Sequence, residues 1–383
     1  MFVPRERSPG ETRVALTPEG VKKLKKAGFE VVVESGAGSS AHLVDDAYRQ
    51  VGAEVTEDVA AAFGDADVVL KVAPFTESEV AGGHEADHLK QGAVAIGFMA
   101  PYAHHDMVRR LAERKVTCFS MELVPRISRA QSMDALSSQA SLGGYKAVLL
   151  AATALDKYFP LLMTAAGTIQ PARVVVLGAG VAGLQALATA KRLGAVVEVS
   201  DIRPEVKEQI ESLGGKFIDL PLDEVEKGEG GYAKEVTPEF LAKQQAIVAD
   251  RLAEADVAIT TALVPGRPAP KLITAQMVER MRPGAVIVDM AVAQGGNCEL
   301  SEPGETVEKH GVTIIGPENL PATVPADASV MYSRNVVTLL LHLAKEAKLE
   351  LDLEDEITKG AMLTHEGQVM HPPTREAMEG AGQ

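Results

Sequence analysis

The chain has 383 residues, a formal net charge of −15, 4% aromatic residues, no tryptophan, two cysteines and nine histidines. Its length allows two domains, each with its own core. The negative charge argues against nucleic acid or anionic lipid as a partner, and the scarcity of aromatic rings argues against stacking platforms for bases. Cys118 and Cys298 make neither a disulfide framework nor a zinc site, which fits a reducing compartment. The histidines lack metal-ligand spacing, so no metal is expected. No apolar run is long enough to span a bilayer, and the start of the chain does not read as a signal peptide, so a soluble protein is expected.

The N-terminal third alternates strand and helix. Thr17-Pro18-Glu19 starts a helix, with Thr17 as N-cap and proline in the first turn. This helix runs through Val21 and Leu24 and stops at Gly28. A strand at Phe29 to Glu34, helices at Asp45 to Val51 and Asp58 to Phe63, and strands at Asp67 to Val72, Ala93 to Phe98 and Val116 to Ser120 follow. Such alternation gives a parallel sheet with helices on both faces. The polar segment Pro125 to Gln139 then enters a helix. Asp134, Ser137, Ser138 and Ser141 share one helical face, which reads equally as a solvated face beside a basic loop or as a ligand contact. A long helix is expected over Ala130 to Leu155, where Gly143-Gly144 either bends it or allows close packing.

The most informative stretch is Arg173 to Asp201. The apolar run Val174-Val175-Val176-Leu177 reads as a buried strand. Gly178-Ala179-Gly180-Val181-Ala182-Gly183 follows at once and opens a helix. A second strand, Ala195 to Val199, ends beside Asp201, 23 positions after Gly178. A dinucleotide-binding fold needs this order. Gly178 permits the tight turn, Gly180 lets backbone approach a pyrophosphate, and Gly183 lets the helix lie close on the strand. The helix N-terminus presents unpaired N–H groups and partial positive charge to phosphates. Asp201 is placed to accept hydrogen bonds from the adenosine ribose hydroxyls. It favours NAD(H), because a 2′-phosphate there would meet a like charge; Arg203 could soften that preference.

Leu220 to Lys243 is longer than a crossover needs and carries Lys227-Gly228-Glu229-Gly230-Gly231-Tyr232. Its place on the ligand side of the sheet favours a glycine-hinged lid with Tyr232 at its tip over a disordered surface insertion. Strands at Asp256 to Leu263, Ala285 to Ala291 and Val312 to Ile315 and a helix at Ala275 to Met281 complete the second sheet. A second long helix is expected over Asp327 to Ala347, with apolar positions Val330, Met331, Val337, Leu340 and Leu341. The tail after it is too short for a domain of its own. The expected fold is therefore α/β: two doubly wound parallel-sheet, Rossmann-like domains joined by two long helices. Residues 1–140 plus 326–383 form an N-terminal domain completed by the C-terminal tail, and 141–325 form the NAD(H)-binding domain, with the nucleotide cleft between them.

On RISRAQSMDALSSQA, LGAGVAGLQALATAKRLGA, ESLGGKF, GGYAKE, ITTALVPGRPAP and GGNCELSEPG, the whole chain resembles the NAD(H)-binding component of the proton-translocating nicotinamide nucleotide transhydrogenases. RISRAQSMD is the most specific of these stretches. The resemblance implies direct, Re/Si-specific hydride exchange between NAD(H) on this chain and NADP(H) on a partner subunit. It further implies a homodimer and a membrane-spanning partner that brings the chain to the cytoplasmic face of the membrane. It places Arg126, Gln131 and Asp134, with Ser137 beside them, at the nicotinamide end, with Gln131 reaching across to the NADP(H) on the partner. It places Ala179, Gly180, Val181, Asp201, Ile202, Arg203, Gly231, Gln244 and Leu263 on the nucleotide and Tyr232 in a mobile loop.

Alanine dehydrogenase is the nearest alternative. It shares ETRVALTPEGV, with Arg13, and the lysine of VLKV, Lys71, an arginine and a lysine that bind a 2-oxo acid in that enzyme. This chain departs at the other two functional positions. Phe98-Met99-Ala100-Pro101-Tyr102 lacks the histidine, and Val288-Asp289-Met290-Ala291-Val292-Ala293-Gln294-Gly295-Gly296 has Ala293 for the second aspartate. Reducing a ketone needs a proton donor as well as a hydride. Reducing one nicotinamide ring with another needs only the hydride and two rings held in register. Arg13 and Lys71 are therefore expected to persist as structural or ion-pairing residues.

Overall fold

The computed structural model describes residues 1–219, 238–264 and 266–380, with backbone alone for 238–242 and 244. The chain divides into two compact units, Met1–Gln139 with Ala322–Gln383, and Ala140–Pro321.

In the first unit, an eight-stranded sheet runs in the order Gln368–Val369, Met362–His365, Thr117–Ser120, Val94–Gly97, Val68–Leu70, Phe2–Val3, Val32–Glu34, Glu54–Thr56. The six strands from the N-terminal third are parallel. In chain order they read third, second, first, fourth, fifth, sixth, the doubly wound arrangement. The central strands are short apolar runs because helices cover both faces: Val68, Val69 and Leu70 are all buried. Two antiparallel strands from the C-terminal tail extend the sheet beyond Thr117–Ser120.

The second unit repeats the plan. Its seven-stranded sheet runs Lys216–Phe217, Val196–Ser200, Arg173–Leu177, Val257–Thr260, Val286–Asp289, Val312–Ile315, Thr306–Lys309. Every pairing is parallel except the last. Leu177, Ser200, Thr260 and Asp289 stand in register at the C-terminal edge, the edge where ligands bind in such sheets.

Local chemistry explains the helices. Thr17 caps Pro18–Lys26 by accepting from Gly20 N, and Val21 and Leu24 point inward. Asp58 caps Val59–Asp65 rather than beginning it. Two expected helices need correction. The stretch expected as one helix from Ala130 to Leu155 is a 3-10 helix, Ser128–Met133, followed by the α-helix Ala135–Ala154. The break falls at Asp134, whose extended ψ of 86° lets its carboxylate cap the second segment. Gly144 serves close packing: a Cβ there would lie 2.1 Å from Ala182 O.

The helix expected from Asp327 to Ala347 is Pro325–His342, and the chain then turns through a hairpin, Ala344–Lys345 with Lys348–Leu349. Glu346 and Ala347 take positive φ angles that no helix tolerates. Its buried stripe also differs from expectation. Leu341 is 39% exposed, whereas Ser329 and Ser333 are buried. Their hydroxyls accept from the backbone N–H of Val14 and Thr17, which would otherwise be buried without partners.

Both cysteines are fully buried. Burial raises both thiols, Cys298 to about 11. Thiolate is the reactive form, so the native protein is expected to resist iodoacetamide at pH 8 and to take up two labels per chain once unfolded in denaturant, read by intact mass. Rapid native labelling would show that these sites open.

Candidate functional site

Three glycines shape the turn after Arg173–Leu177, each differently. Gly178 has φ +105°, and a Cβ on it would meet Thr261 Oγ1 at 2.5 Å. A Cβ on Gly183 would lie 1.8 Å from Gly178 O, so the helix Val181–Arg192 rests directly on the turn. Gly180, the N-cap of that helix, has nothing within 4 Å of its Cβ position. The same turn is thus closed underneath by Gly178 and Gly183 and open above Gly180, where helix N–H groups and the positive end of its dipole face outward. That open cradle fits a phosphate.

Asp201 stands at the end of the neighbouring strand and is 8% exposed. Its Oδ2 accepts from Ala179 N at 2.6 Å, so the carboxylate pins the glycine turn. Arg203 grips it as well: Arg203 N and Nε donate to Oδ1 and Nη2 donates to Oδ2, at 2.9, 3.0 and 3.0 Å. The Asp201 carboxylate thus accepts four hydrogen bonds from the chain itself. Ile202 is half-buried, while Val181 and Leu263, at the edge of the same sheet, are 44% and 42% exposed. Gly231 and Tyr232, and with them the expected lid, lie outside the described residues. Gln244 falls on the helix Pro238–Ala253, and its side chain is not described.

A third feature escaped the sequence. Asp289, fully buried, accepts five hydrogen bonds: from Thr260 Oγ1, Ala291 N and Asn297 N on Oδ1, and from Cys298 N and Ser301 Oγ on Oδ2. It organises the whole loop after its strand. The signal was present: an acid closing an apolar strand, followed by Gly295-Gly296. Gly296 has φ +78°, and a Cβ there would press on Asp289 Oδ2 at 2.8 Å.

In the first unit, Asp134 and Ser137 are joined directly. Ser137 N donates to Asp134 Oδ1 at 2.8 Å and Ser137 Oγ to Oδ2 at 2.6 Å. Arg126 and Gln131 are exposed on the same stretch. Ser138 instead bonds Asn335 Oδ1, and Ser141, in the second unit, bonds Gln185. The polar face seen in the sequence therefore does not act as one surface.

Arg13 and Lys71 are both engaged internally. Arg13 holds Glu11 through Nε and Nη2 and Gln139 through Nη1. Lys71 is fully buried, 2.8 Å from Glu85 and 3.4 Å from Glu6, with its carbonyl taken by Tyr332 Oη. Burial works to strip the Lys71 proton, but the two carboxylates prevail and hold its pKa above the ordinary lysine value. Ala100 sits in a turn with φ +43°, fixed by Glu122, which accepts from Met99 N and Ala100 N. The described residues contain no cluster of histidine, cysteine, aspartate or glutamate able to hold a metal ion.

The glycine geometry separates two roles. Gly180→Ala is expected to leave the melting temperature unchanged. Gly183→Ala should lower stability by roughly 1–3 kcal/mol through overpacking, read by denaturant unfolding; equal effects would contradict the geometry.

Comparison with known proteins agrees with this layout. The family model described as alanine dehydrogenase/PNT, N-terminal domain, matches residues 2–143, and the corresponding C-terminal domain model matches 147–372. The chain is 52% identical, over 97% of both chains, to the first of the polypeptides named NAD(P) transhydrogenase subunit alpha in Rhodospirillum rubrum. It is 29% identical to alanine dehydrogenase of Bacillus subtilis, over 96% of this chain and 92% of that one. The solved structure of transhydrogenase from Sinorhizobium meliloti matches with a TM-score of 0.85 and 47% identity, over 96% of this chain and 99% of that one.

Proposed function

The chain belongs to the alanine dehydrogenase/PNT family, and we propose that it is the NAD(H)-binding component of a proton-translocating transhydrogenase. In this reading it binds NAD(H) and exchanges hydride directly with NADP(H) held on a partner subunit. The observation that carries the reading is the glycine turn of the second unit, closed beneath by Gly178 and Gly183 and open above Gly180 for a phosphate. Arg13 and Lys71 are committed to internal carboxylates and to Gln139, and Ala100 and Ala293 stand where alanine dehydrogenase has its histidine and second aspartate. The 52% and 29% identities point the same way.

When bound, a dihydronicotinamide supplies the hydride, and no protein acid is needed. The chain's own residues bind and orient. Ala179, Gly180 and Val181 receive the pyrophosphate on the turn that Gly178 and Gly183 close from beneath, and Asp201, Ile202 and Arg203 take the adenosine ribose. The reading adds Leu263, Gln244, Gly231 and Tyr232 to the residues that contact the nucleotide. Arg126, Gln131, Asp134 and Ser137 hold the nicotinamide end, with Gln131 directed to the second nucleotide.

No helix among the described residues is long and apolar enough to cross a membrane. The reading therefore assigns proton translocation to a membrane-spanning subunit, with this chain held at the cytoplasmic face through its partners. It also includes a second copy of this chain. The hairpin Leu162–Thr164 with Gly167–Ile169 is exposed along most of its length, with Met163 at 80%, and Leu161 beside it at 52%. A symmetric partner would cover such apolar surface.

Two experiments test this. Mixed with the NADP-binding subunit, the chain should let NADPH reduce an NAD analogue, while alone it should not consume NADH with pyruvate and ammonia. Gln131→Ala should slow the exchange by about tenfold or more through lost ring orientation, with NADH affinity changed by less than about threefold. Alanine oxidation by the isolated chain, without exchange in the mixture, would reverse the assignment. In sedimentation, Met163→Asp should convert a dimer to a monomer; an unchanged mass would remove the hairpin from the interface.

A further inference from the structure

Asn297 lies between two loops at the C-terminal edge of the second sheet, fully buried, and each of its polar groups has a partner. Its N–H donates to Asp289 Oδ1 at 3.2 Å. Its carbonyl accepts from Leu272 N and Ile273 N at 2.8 and 3.0 Å. Its side-chain Oδ1 accepts from Ala262 N at 3.0 Å, and its Nδ2 donates to Ala262 O at 2.9 Å and Pro270 O at 2.8 Å. One side chain thus takes both backbone polar groups of Ala262. The residue before it, Thr261, donates through Oγ1 to Gly178 O at 3.2 Å and to Leu177 O at 3.3 Å. The residue after it, Leu263, is exposed. A chain of hydrogen bonds therefore runs from Asp289 through Asn297 and Ala262–Thr261 to the glycine turn.

Such a bracket has a definite place in a doubly wound sheet. The two halves of the sheet bind the two mononucleotides, meeting at the switch point between the first and fourth strands. The first half, Arg173–Leu177 and Val196–Ser200, carries Asp201 and serves the adenosine side. The loop after the fourth strand, Val257–Thr260, belongs to the other half. Asn297 touches only that half, and it touches it by the backbone, where a loss shifts the loop rather than removing a contact. Buried polar groups that are fully satisfied fix one arrangement, because leaving any of them unpaired costs about 1–3 kcal/mol.

We propose that Asn297 is a positioning residue for the nicotinamide half of the bound nucleotide: it sets Thr261–Leu263 against the glycine turn without touching the ligand. The inference rests on the NAD(H)-binding reading above and goes beyond it. It predicts that disturbing Asn297 separates the affinities for whole and half nucleotide.

The test compares NADH with ADP, which carries the adenosine and pyrophosphate alone, on the full chain and on Asn297→Ala and Asn297→Asp. The aspartate variant keeps the volume and the acceptor for Ala262 N but turns a carboxylate oxygen on Ala262 O and Pro270 O. Both variants should weaken NADH by about tenfold or more and ADP by less than about twofold. Hydrogen exchange should show the Ala262 amide deprotected in Asn297→Ala, which reads the bracket directly. Equal loss of NADH and ADP, or an unchanged NADH affinity, would overturn the inference while leaving nucleotide binding intact. Failure of the unaltered chain to bind either ligand would instead remove the NAD(H)-binding reading and this inference with it.

Discussion

In the second unit a helix and a carbonyl share a space that only hydrogen could leave free. Gly178 O lies where a side chain on Gly183 would begin, so Val181–Arg192 seats directly on the strand it follows. That contact sets the angle at which the helix leaves the sheet and so aims its N-terminal amides over Gly180. The other groups around the turn hold this arrangement. Asp201 takes Ala179 N, Thr261 takes Gly178 O, and Asp289 and Asn297 fasten the loop that carries Thr261. The site is a consequence of backbone approach, with side chains as braces.

The two units share a strand order, and their switch points have opposite fates. In the second, glycine keeps the crevice open. In the first, the loop after Phe2–Val3 carries Glu6, whose carboxylate accepts from Val72 N and Ala73 N beyond the fourth strand and faces Lys71. Burial raises the Glu6 carboxyl, and Lys71 opposes that rise. The backbone N–H groups that could have met an anionic ligand are satisfied by the chain's own acid. Fold alone thus says little about binding; what fills or vacates the crevice decides it. The same cluster holds Lys71 in a buried ion pair with Glu6 and Glu85.

Much of this was legible in the sequence where one residue type has one physical use. Thr17 before Pro18, the spaced glycines after an apolar run and the acid at the next strand end each announced their structures. Features that depend on distant partners were hidden. Nothing local shows that Asp134 interrupts a helix in order to cap it. Ser329 and Ser333 look like a polar face, yet they are buried because Val14 and Thr17 need acceptors. Asp289 lies inside the expected strand Ala285 to Ala291, and its joint role with Asn297 appears only when the loops after the fourth and fifth strands meet. The order of the glycine turn gave no hint that Arg203 would occupy the acceptors of Asp201. The four residues carried over to the nicotinamide end rest on resemblance, and the structure adds to it the cap that Asp134 gives Ser137.

The first unit is interrupted by the second, and this has a consequence for how the molecule comes into being on the ribosome. Its sixth strand, Thr117–Ser120, is covered by Met362–His365, and Thr364 Oγ1 reaches Val116 O from 248 residues further along. The second unit is one continuous stretch and can close as soon as it emerges. The first must wait with an open sheet edge until Met362–His365 is synthesised, and an open edge invites pairing with other chains. A nascent or prematurely ended polypeptide would therefore carry a finished nucleotide domain beside a sticky, unfinished one, and chaperone dependence should concentrate on that waiting edge.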